Sequence, residues 1–382
     1  MLHFSNDEFA ARLKRLQAEM AARKLDAMLL FAQESMYWLT GYDTFGFCFF
    51  QSLLVRADGT MALLTRTADL RQAQHTSILS DIRIWTDSKD ATPAQQLLAM
   101  VRDLGVTGGR IGAEFDSYGL THANGRKLEA AFAGDFELID ASDVIAHLRA
   151  VKSAAEIAYV REAARLSDAA DAAGIAAVFP GADEGDILAA QHNAIFSAGG
   201  DYPANEFIIG SGRDALLCRY KSGRRKLAER DQITLEFAGV YRHYHAALMR
   251  TVTVGDVSPR HSELYTAAHE ALLACEAEIR PGRTAGDVFA AHARVMDSHG
   301  LENHRLAACG YSLGAKFTPS WMDRPMFYEG NDWVLEPGMV MFAHMILMDS
   351  DSGTAMCLGR TSLTTQNGSE VLNGADAGLQ MR

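Results

Sequence analysis

The segment LEFAGVYRHYHAALMRT (235–251) places one carboxylate and two imidazoles on what its apolar pattern predicts to be the two strands of a hairpin. Glu236 lies in the apolar run ITLEFAG, where burying a carboxylate is costly unless it is paired or hydrogen-bonded. A glutamate in the middle of a strand whose side chain faces a cavity is therefore more often functional than without a role. The structural alternative is a buried ion pair of Glu236 with Arg250 or Arg219.

Alternation along the strands limits which side chains can join Glu236. Residues two apart share one face of a strand, so His243, His245 and Ala247 have one parity and could face the same cavity. Histidines there would suit acid–base chemistry. His243 could equally belong to an exposed turn, and His245, like His344 in the apolar run MVMFAHMILM, could be a satisfied structural histidine.

The elements that must position these residues divide the chain in two. Helical and strand patterns alternate over residues 1–150, with a hairpin that turns at Asp58-Gly59, and predict an α/β amino-terminal domain. Ser153 and Glu156 form a capping box at the start of a long helix. That helix opens a predicted α+β domain at 151–382 with an antiparallel sheet.

Composition indicates a soluble globular protein of enzyme size, whose partner is a small substrate or another protein. The 382 residues are 48% hydrophobic and 22% charged, and the net charge of −12 argues against a nucleic-acid partner. No segment is apolar over the length needed to span a membrane, and the first residues do not resemble a signal peptide. The five cysteines are scattered without a CxxC pair, which favours reduced thiols and a cytoplasmic location.

A series of motifs along the chain resembles the creatinase, prolidase and methionine aminopeptidase superfamily. The motifs occur in the order LRAVKSAAEIAYVREAARLSDAA, RDQITLEFAG, YHAALMRTV, ACGYSLG, LEPGMVMF and NGSEVL. The resemblance implies the pita-bread fold for 151–382, with a curved antiparallel sheet, and a homodimer that shares its sites.

Metallopeptidases of that superfamily hold two metal ions with two aspartates, a histidine and two glutamates, which activate a bridging water. Matching the motifs assigns five positions of this chain to those ligands. They are Glu236, Ala247, Tyr311, His344, and Gly359 or Arg360. Because most of these side chains cannot bind a metal, we expect no metal site, no other cofactor and no peptidase activity by the usual mechanism.

The ectoine hydrolase group is the branch that the chain resembles most. The resemblance rests on the strand glutamate followed by YH and RT, on GYSLG (310–314), and on YWLTGYDTFGFCFFQ (37–51). The histidine of creatinase aligns near Arg219, which argues against a creatinase mechanism. The resemblance implies a metal-independent hydrolase of a non-peptide C–N bond in a small zwitterionic metabolite.

This interpretation assigns a role to each candidate residue. The predicted catalytic residues are Glu236, His245, Tyr311 and His344. The predicted substrate-binding residues are Arg219, Tyr220, His243, Arg250, Phe45 and Phe47, although core packing is an alternative for at least half of the aromatic run. Two other functions stay open: an unorthodox metal-dependent Xaa-Pro dipeptidase or lyase using Glu236 with His243, His245 and His344, and a silent binding protein.

Overall fold

The computed structural model describes residues 2–107, 109–219 and 224–382. The chain divides into two compact units, Met1–Arg149 and Ala150–Arg382, which we call the amino-terminal and carboxy-terminal units. The boundary predicted from sequence, at 150, lies beside this division. None of the helices in the described ranges combines the length and the apolar character that a bilayer crossing requires.

The amino-terminal unit is a mixed sheet between helices. Its described helices are α1 (Asn6–Arg23), α2 (Gln33–Thr40), α3 (Leu70–Thr76), α4 (Pro93–Asp103), α5 (His122–Phe132) and α6 (Ser142–Ala150). Its described strands are β1 (Ala27–Leu30), β2 (Ser52–Arg56), β3 (Met61–Arg66), β4 (Ile82–Trp85), β5 (Arg110–Ala113) and β6 (Glu137–Asp140). They are ordered β4-β3-β2-β1-β5-β6. The fully buried run of β1 is typical of a central strand with a core on both faces.

The carboxy-terminal unit carries the long hairpin and four further helices within the described ranges. The helices are α7 (Ala154–Ala176), α8 (Glu184–Ser197), α9 (Pro259–Glu278) and α10 (Ala285–Ser298). The strands are β7 (Ile208–Ser211), β8 (Asp231–Tyr241), β9 (Tyr244–Val254), β10 (Ala308–Ser312), β11 (Asp323–Tyr328), β12 (Val340–Asp349), β13 (Thr354–Thr365), β14 (Gly368–Val371) and β15 (Gln380–Met381). Their main order is β11-β10-β12-β13-β9-β8-β7, with antiparallel neighbours.

The capping box predicted for α7 is confirmed. The Ser153 hydroxyl accepts from the Glu156 backbone N–H, and the Glu156 carboxylate accepts from the Ser153 N–H at 2.9 Å. The other oxygen of Glu156 accepts from the Tyr244 hydroxyl at 2.7 Å, so the start of α7 is bonded to the start of β9. The apolar segment LLCRY (216–220) predicts a short strand from sequence, and this prediction is wrong within its described residues, because Gly212–Leu216 forms a 3-10 helix and Leu217 is exposed.

Helices α7 and α9 pack on one face of the large sheet. Apolar residues of α9 form a core with Met341, Ala343 and Met345, which alternate along β12. On β8, Gly239 lies against the α7 backbone, where an added Cβ would meet the Ala163 carbonyl oxygen at 2.0 Å. Side chains of the opposite parity on these strands therefore point to the other face, which we call the site face.

We expect Gly239→Ala to destabilise the carboxy-terminal unit by about 1–3 kcal/mol or more, because any side chain must push α7 away from β8. The free energy of unfolding in urea measures this loss. Gly125→Ala in α5 is the control, since the nearest atom to its added Cβ lies at 4.0 Å. The control should be neutral or stabilised by about 0.5–1 kcal/mol. Equal effects of the two substitutions would contradict close packing at Gly239.

Candidate active site

Glu236 lies in a row of residues that crosses four neighbouring strands on the site face. The register places Glu236 opposite Met249, Met249 opposite Gly359, and Gly359 opposite His344. Directly opposite residues of antiparallel strands share a face. The row therefore brings Glu236 of β8 and His344 of β12 to the same side of the sheet.

Tyr311 reaches Glu236 from the far side of this row. The Tyr311 hydroxyl donates to Oε1 of Glu236 at 3.2 Å. The strand order separates β10 from β8 by four strand spacings, about 19 Å in a flat sheet and more than two side chains could span. The sheet is therefore strongly curved, and its site face is concave.

The Glu236 carboxyl is poised between its two protonation states at neutral pH. The residue is only 6% exposed. Burial raises its pKa to about 7, although the hydrogen bond from Tyr311 and the positive charge of Arg219 oppose the rise. A carboxyl with a pKa near the working pH can act as a base, a nucleophile or an acid.

His344 contributes a neutral imidazole to the site face. Its ring centroid lies 5.5 Å from those of Tyr311 and Phe342. Burial lowers its pKa to about 3, and the charges of His292 and Arg219 act in the same direction. Nδ1 is buried and has no hydrogen-bond partner among the described residues. His344 can therefore form a hydrogen bond with a bound molecule or water without carrying charge.

The structure corrects the predicted catalytic role of His245. Nε2 accepts from the Ala204 backbone N–H at 3.0 Å, which leaves Nδ1 to carry the proton and donate to the Gly314 carbonyl at 3.3 Å. Burial lowers its pKa to about 3. His245 also pairs with Val240, about 13 Å along β8 from Glu236. Both ring nitrogens of His245 are thus hydrogen-bonded, which agrees with the alternative interpretation of His245 as a structural histidine. It joins the segment before β7 to the segment after β10.

Two predicted substrate-binding residues lie away from Glu236. His243 belongs to the turn of the hairpin, with a φ of 66°, and its ring stacks on Phe317 at 4.2 Å. Arg250 lies opposite Leu235, on the helix-covered face, and its Nε is 2.8 Å from the Asp171 carboxylate of α7. His243 therefore lies in the turn and Arg250 has the wrong parity for the site face, and the alternative ion pair of Glu236 with Arg250 is wrong.

Arg219 is exposed, and its charge reaches three groups of the site. The guanidinium acts to lower the pKa of Glu236, of Tyr311 and of His344. It therefore lies close enough to attract an anionic group of a molecule bound there. Tyr220, the next predicted binding residue, lies outside the described residues.

The predicted aromatic residues belong to the amino-terminal unit and differ in environment. Phe45 is 81% exposed, whereas Phe47 is buried. Of the other phenylalanines in this run, Phe49 is half-exposed beneath the Arg66 guanidinium and Phe50 is buried. Core packing therefore accounts for Phe47 and Phe50, and Phe45 alone is fully available to an external partner.

The side chains present do not fit a dinuclear metal centre. Ala247 and Gly359, which share the face of Glu236, offer no ligand, and Arg360 lies on the helix-covered face, where it pairs with Glu276 at 2.6 Å. Within the described ranges no group of three or more His, Cys, Asp or Glu side chains is arranged to hold a metal.

Sequence reasoning missed Trp321. Its Nε1 donates to the Tyr311 oxygen at 2.8 Å, and its backbone N–H donates to Oδ1 of Asn205 at 3.0 Å. The sequence signal was a tryptophan within TPSWMDRP, a stretch whose path no periodic pattern indicates. The site face thus carries a chain of contacts from Trp321 through Tyr311 to Glu236.

Comparisons with known proteins agree with this architecture. Residues 158–362 match metallopeptidase family M24, and residues 12–151 match the creatinase/prolidase N-terminal domain. Ectoine hydrolase from Halomonas elongata is 27% identical over 97% of this chain and 96% of that protein.

Two solved structures share the fold. A prolidase from Thermococcus sibiricus matches with a TM-score of 0.88 at 20% identity, over 98% of this chain and 99% of that one. An Xaa-Pro dipeptidase from Bacillus anthracis matches with a TM-score of 0.85 at 20% identity, over 98% and 100%.

The predicted fold class is confirmed: an α/β amino-terminal domain and an α+β pita-bread domain with a curved antiparallel sheet. The family model covers more than half of the chain, including every residue of the row that carries Glu236. The chain therefore belongs to metallopeptidase family M24, with a creatinase/prolidase N-terminal domain.

Proposed function

We propose that this family member is a metal-independent hydrolase of a non-peptide C–N bond in a small zwitterionic metabolite, of the ectoine-like cyclic amidine class. The observation that carries the proposal is the buried Glu236, hydrogen-bonded to Tyr311, on a face where Ala247, Gly359 and His344 occupy positions that the resemblance assigns to metal ligands. Similarity to ectoine hydrolase over nearly the whole chain supports the substrate class.

The residues supply the chemistry that amidine hydrolysis requires. The amidinium carbon is already electrophilic, so the Glu236 carboxylate can hold the cation and either attack that carbon or direct a water to it. The departing nitrogen needs a proton, which the Tyr311 hydroxyl is placed to supply or relay. His344 offers a neutral hydrogen bond through Nδ1. Arg219 would pair with the carboxylate of the zwitterion.

A homodimer is part of the proposal. Phe45 stands almost fully exposed in the amino-terminal unit, as a residue that contacts a second copy would. The competing function is hydrolysis of Xaa-Pro dipeptides, which the prolidase relatives favour. A binding protein without turnover is the third outcome that the tests distinguish.

A substrate screen on metal-stripped protein tests the proposal. Cyclic amidines, guanidino acids, N-acyl diamino acids and Xaa-Pro dipeptides would be incubated with protein dialysed against a chelator, and products followed by mass spectrometry. We expect turnover of a non-peptide compound that chelation leaves unchanged. Xaa-Pro cleavage restored by added divalent metal would support the dipeptidase instead, and binding without any product would support the silent protein.

Glu236→Gln should reduce the turnover number for the identified substrate by about 10³-fold, within the range for loss of an acid–base group. The amide keeps the size of the side chain but cannot carry the charge that holds the cation. Glu276→Gln is the control, because Glu276 is also buried but lies on α9, on the helix-covered side of the sheet. Unchanged turnover in Glu236→Gln would show that Glu236 is not the catalytic carboxylate.

The pH dependence of stability should carry the signature of Glu236. Because burial raises its pKa from 4.5 to about 7, the folded state binds the proton more tightly than the unfolded chain does. The resulting stability is fully present below pH 4.5 and is lost as the pH rises through 7, a loss on the order of 3 kcal/mol. Urea unfolding across this window should show Glu236→Gln gaining stability relative to the unsubstituted protein, and a constant difference would contradict the raised pKa.

A further inference from the structure

Trp321 is held in place from both sides. The residue is 1% exposed, and its backbone N–H is bonded to the side chain of Asn205 at 3.0 Å. Its ring lies against two aromatic neighbours, with centroid distances of 6.2 Å to His245 and 6.4 Å to Phe207. His245 is itself fixed by two backbone groups. The indole therefore has little freedom to move away from Tyr311.

The chemistry of the indole sets the direction of the hydrogen bonds. An indole nitrogen donates and cannot accept, so the 2.8 Å contact makes the Tyr311 oxygen the acceptor. A phenolic hydroxyl has one proton, which is then left for the contact of 3.2 Å with Oε1 of Glu236. The order of donation is Trp321 to Tyr311 to Glu236.

We propose that Trp321 is a positioning residue, which holds the Tyr311 hydroxyl so that its proton points at the Glu236 carboxylate. Packing alone would not need the nitrogen, because a phenylalanine fills much of the same space. The catalytic meaning of this role rests on the proposed function. The direction of the hydrogen bonds is independent of the proposed function, and it can be measured without any substrate.

Trp321 also opposes the effect of burial on Tyr311. Burial and the neighbouring Glu236 raise the pKa of the Tyr311 hydroxyl well above its ordinary value, while the indole N–H acts to lower it. The N–H would stabilise the phenolate that forms if Tyr311 gives up its proton. Loss of the donor should therefore impair both the orientation of the hydroxyl and its ability to transfer a proton.

Nuclear magnetic resonance tests the chain of bonds in the unsubstituted protein. With ¹⁵N-labelled tryptophan, the Trp321 indole resonance should shift with the titration of Glu236, near pH 7, and the shift should vanish in Glu236→Gln. Trp85 is the internal control, since its indole also donates at 2.8 Å but to the Phe50 carbonyl of the amino-terminal unit. A Trp321 indole resonance whose chemical shift does not change as Glu236 titrates would overturn the proposal.

Substitution tests the same point independently. In Trp321→Phe, the titration midpoint of the Glu236 carboxyl, followed by ¹³C labelling, should rise by about one pH unit. The reason is that the Tyr311 hydroxyl, which donates to Glu236, is no longer held in place. Trp321→His restores an N–H donor and should bring the Glu236 midpoint part of the way back to its value in the unsubstituted protein. Trp85→Phe should leave the Glu236 midpoint unchanged. An unmoved midpoint in folded Trp321→Phe would also overturn the proposal.

Kinetics separate this inference from the proposed function. For an identified substrate, Trp321→Phe should lower kcat by about tenfold or more with KM nearly unchanged, and should shift the pH profile with the carboxyl midpoint. Equal kcat and pH profiles in the two proteins would count against a positioning role. A resonance shift without turnover of any C–N compound would leave the hydrogen-bond chain standing and overturn the proposed function alone.

Discussion

The burial of a single carboxylate governs this site. Glu236 lies in a strand whose neighbours are apolar, and the nearest side-chain donor is a neutral hydroxyl rather than a cation. Removing a carboxyl from water without a full counter-charge favours its protonated form. The pKa of Glu236 is therefore raised to about 7, close to neutral pH. Under the proposed function, a cationic substrate bound beside Glu236 would supply this counter-charge and would favour the ionised carboxylate.

The curvature of the sheet follows from the same arrangement. Glu236 and Tyr311 lie far apart in strand order, and only a concave face lets their side chains meet. The helices pack on the convex side, where Gly239 admits the α7 backbone. One parity of β8 and β9 therefore packs against the helices, and Arg250 and Glu236 differ in environment because they differ in parity.

Sequence reasoning found what local pattern encodes. Glu236 stood out because an isolated charge interrupts an apolar strand, and the α7 capping box follows from four consecutive residues. Arg250 was assigned to the wrong face, because the hairpin register pairs Glu236 with Met249 and turns Arg250 to the helix-covered side. His245 and Trp321 could not be placed, since their partners Ala204 and Asn205 lie in irregular segments that no periodicity describes.

Gly359 leaves no room for a larger side chain at its position in the row that carries Glu236. An added Cβ there would lie 2.8 Å from the Ala343 carbonyl oxygen and 3.0 Å from Cα of His344, so β12 has closed over the space that a ligand side chain would need. A glutamate at this position would require the backbone of the two strands to separate. At Gly359 the main chain, and not only the side chain, therefore excludes an acidic metal ligand.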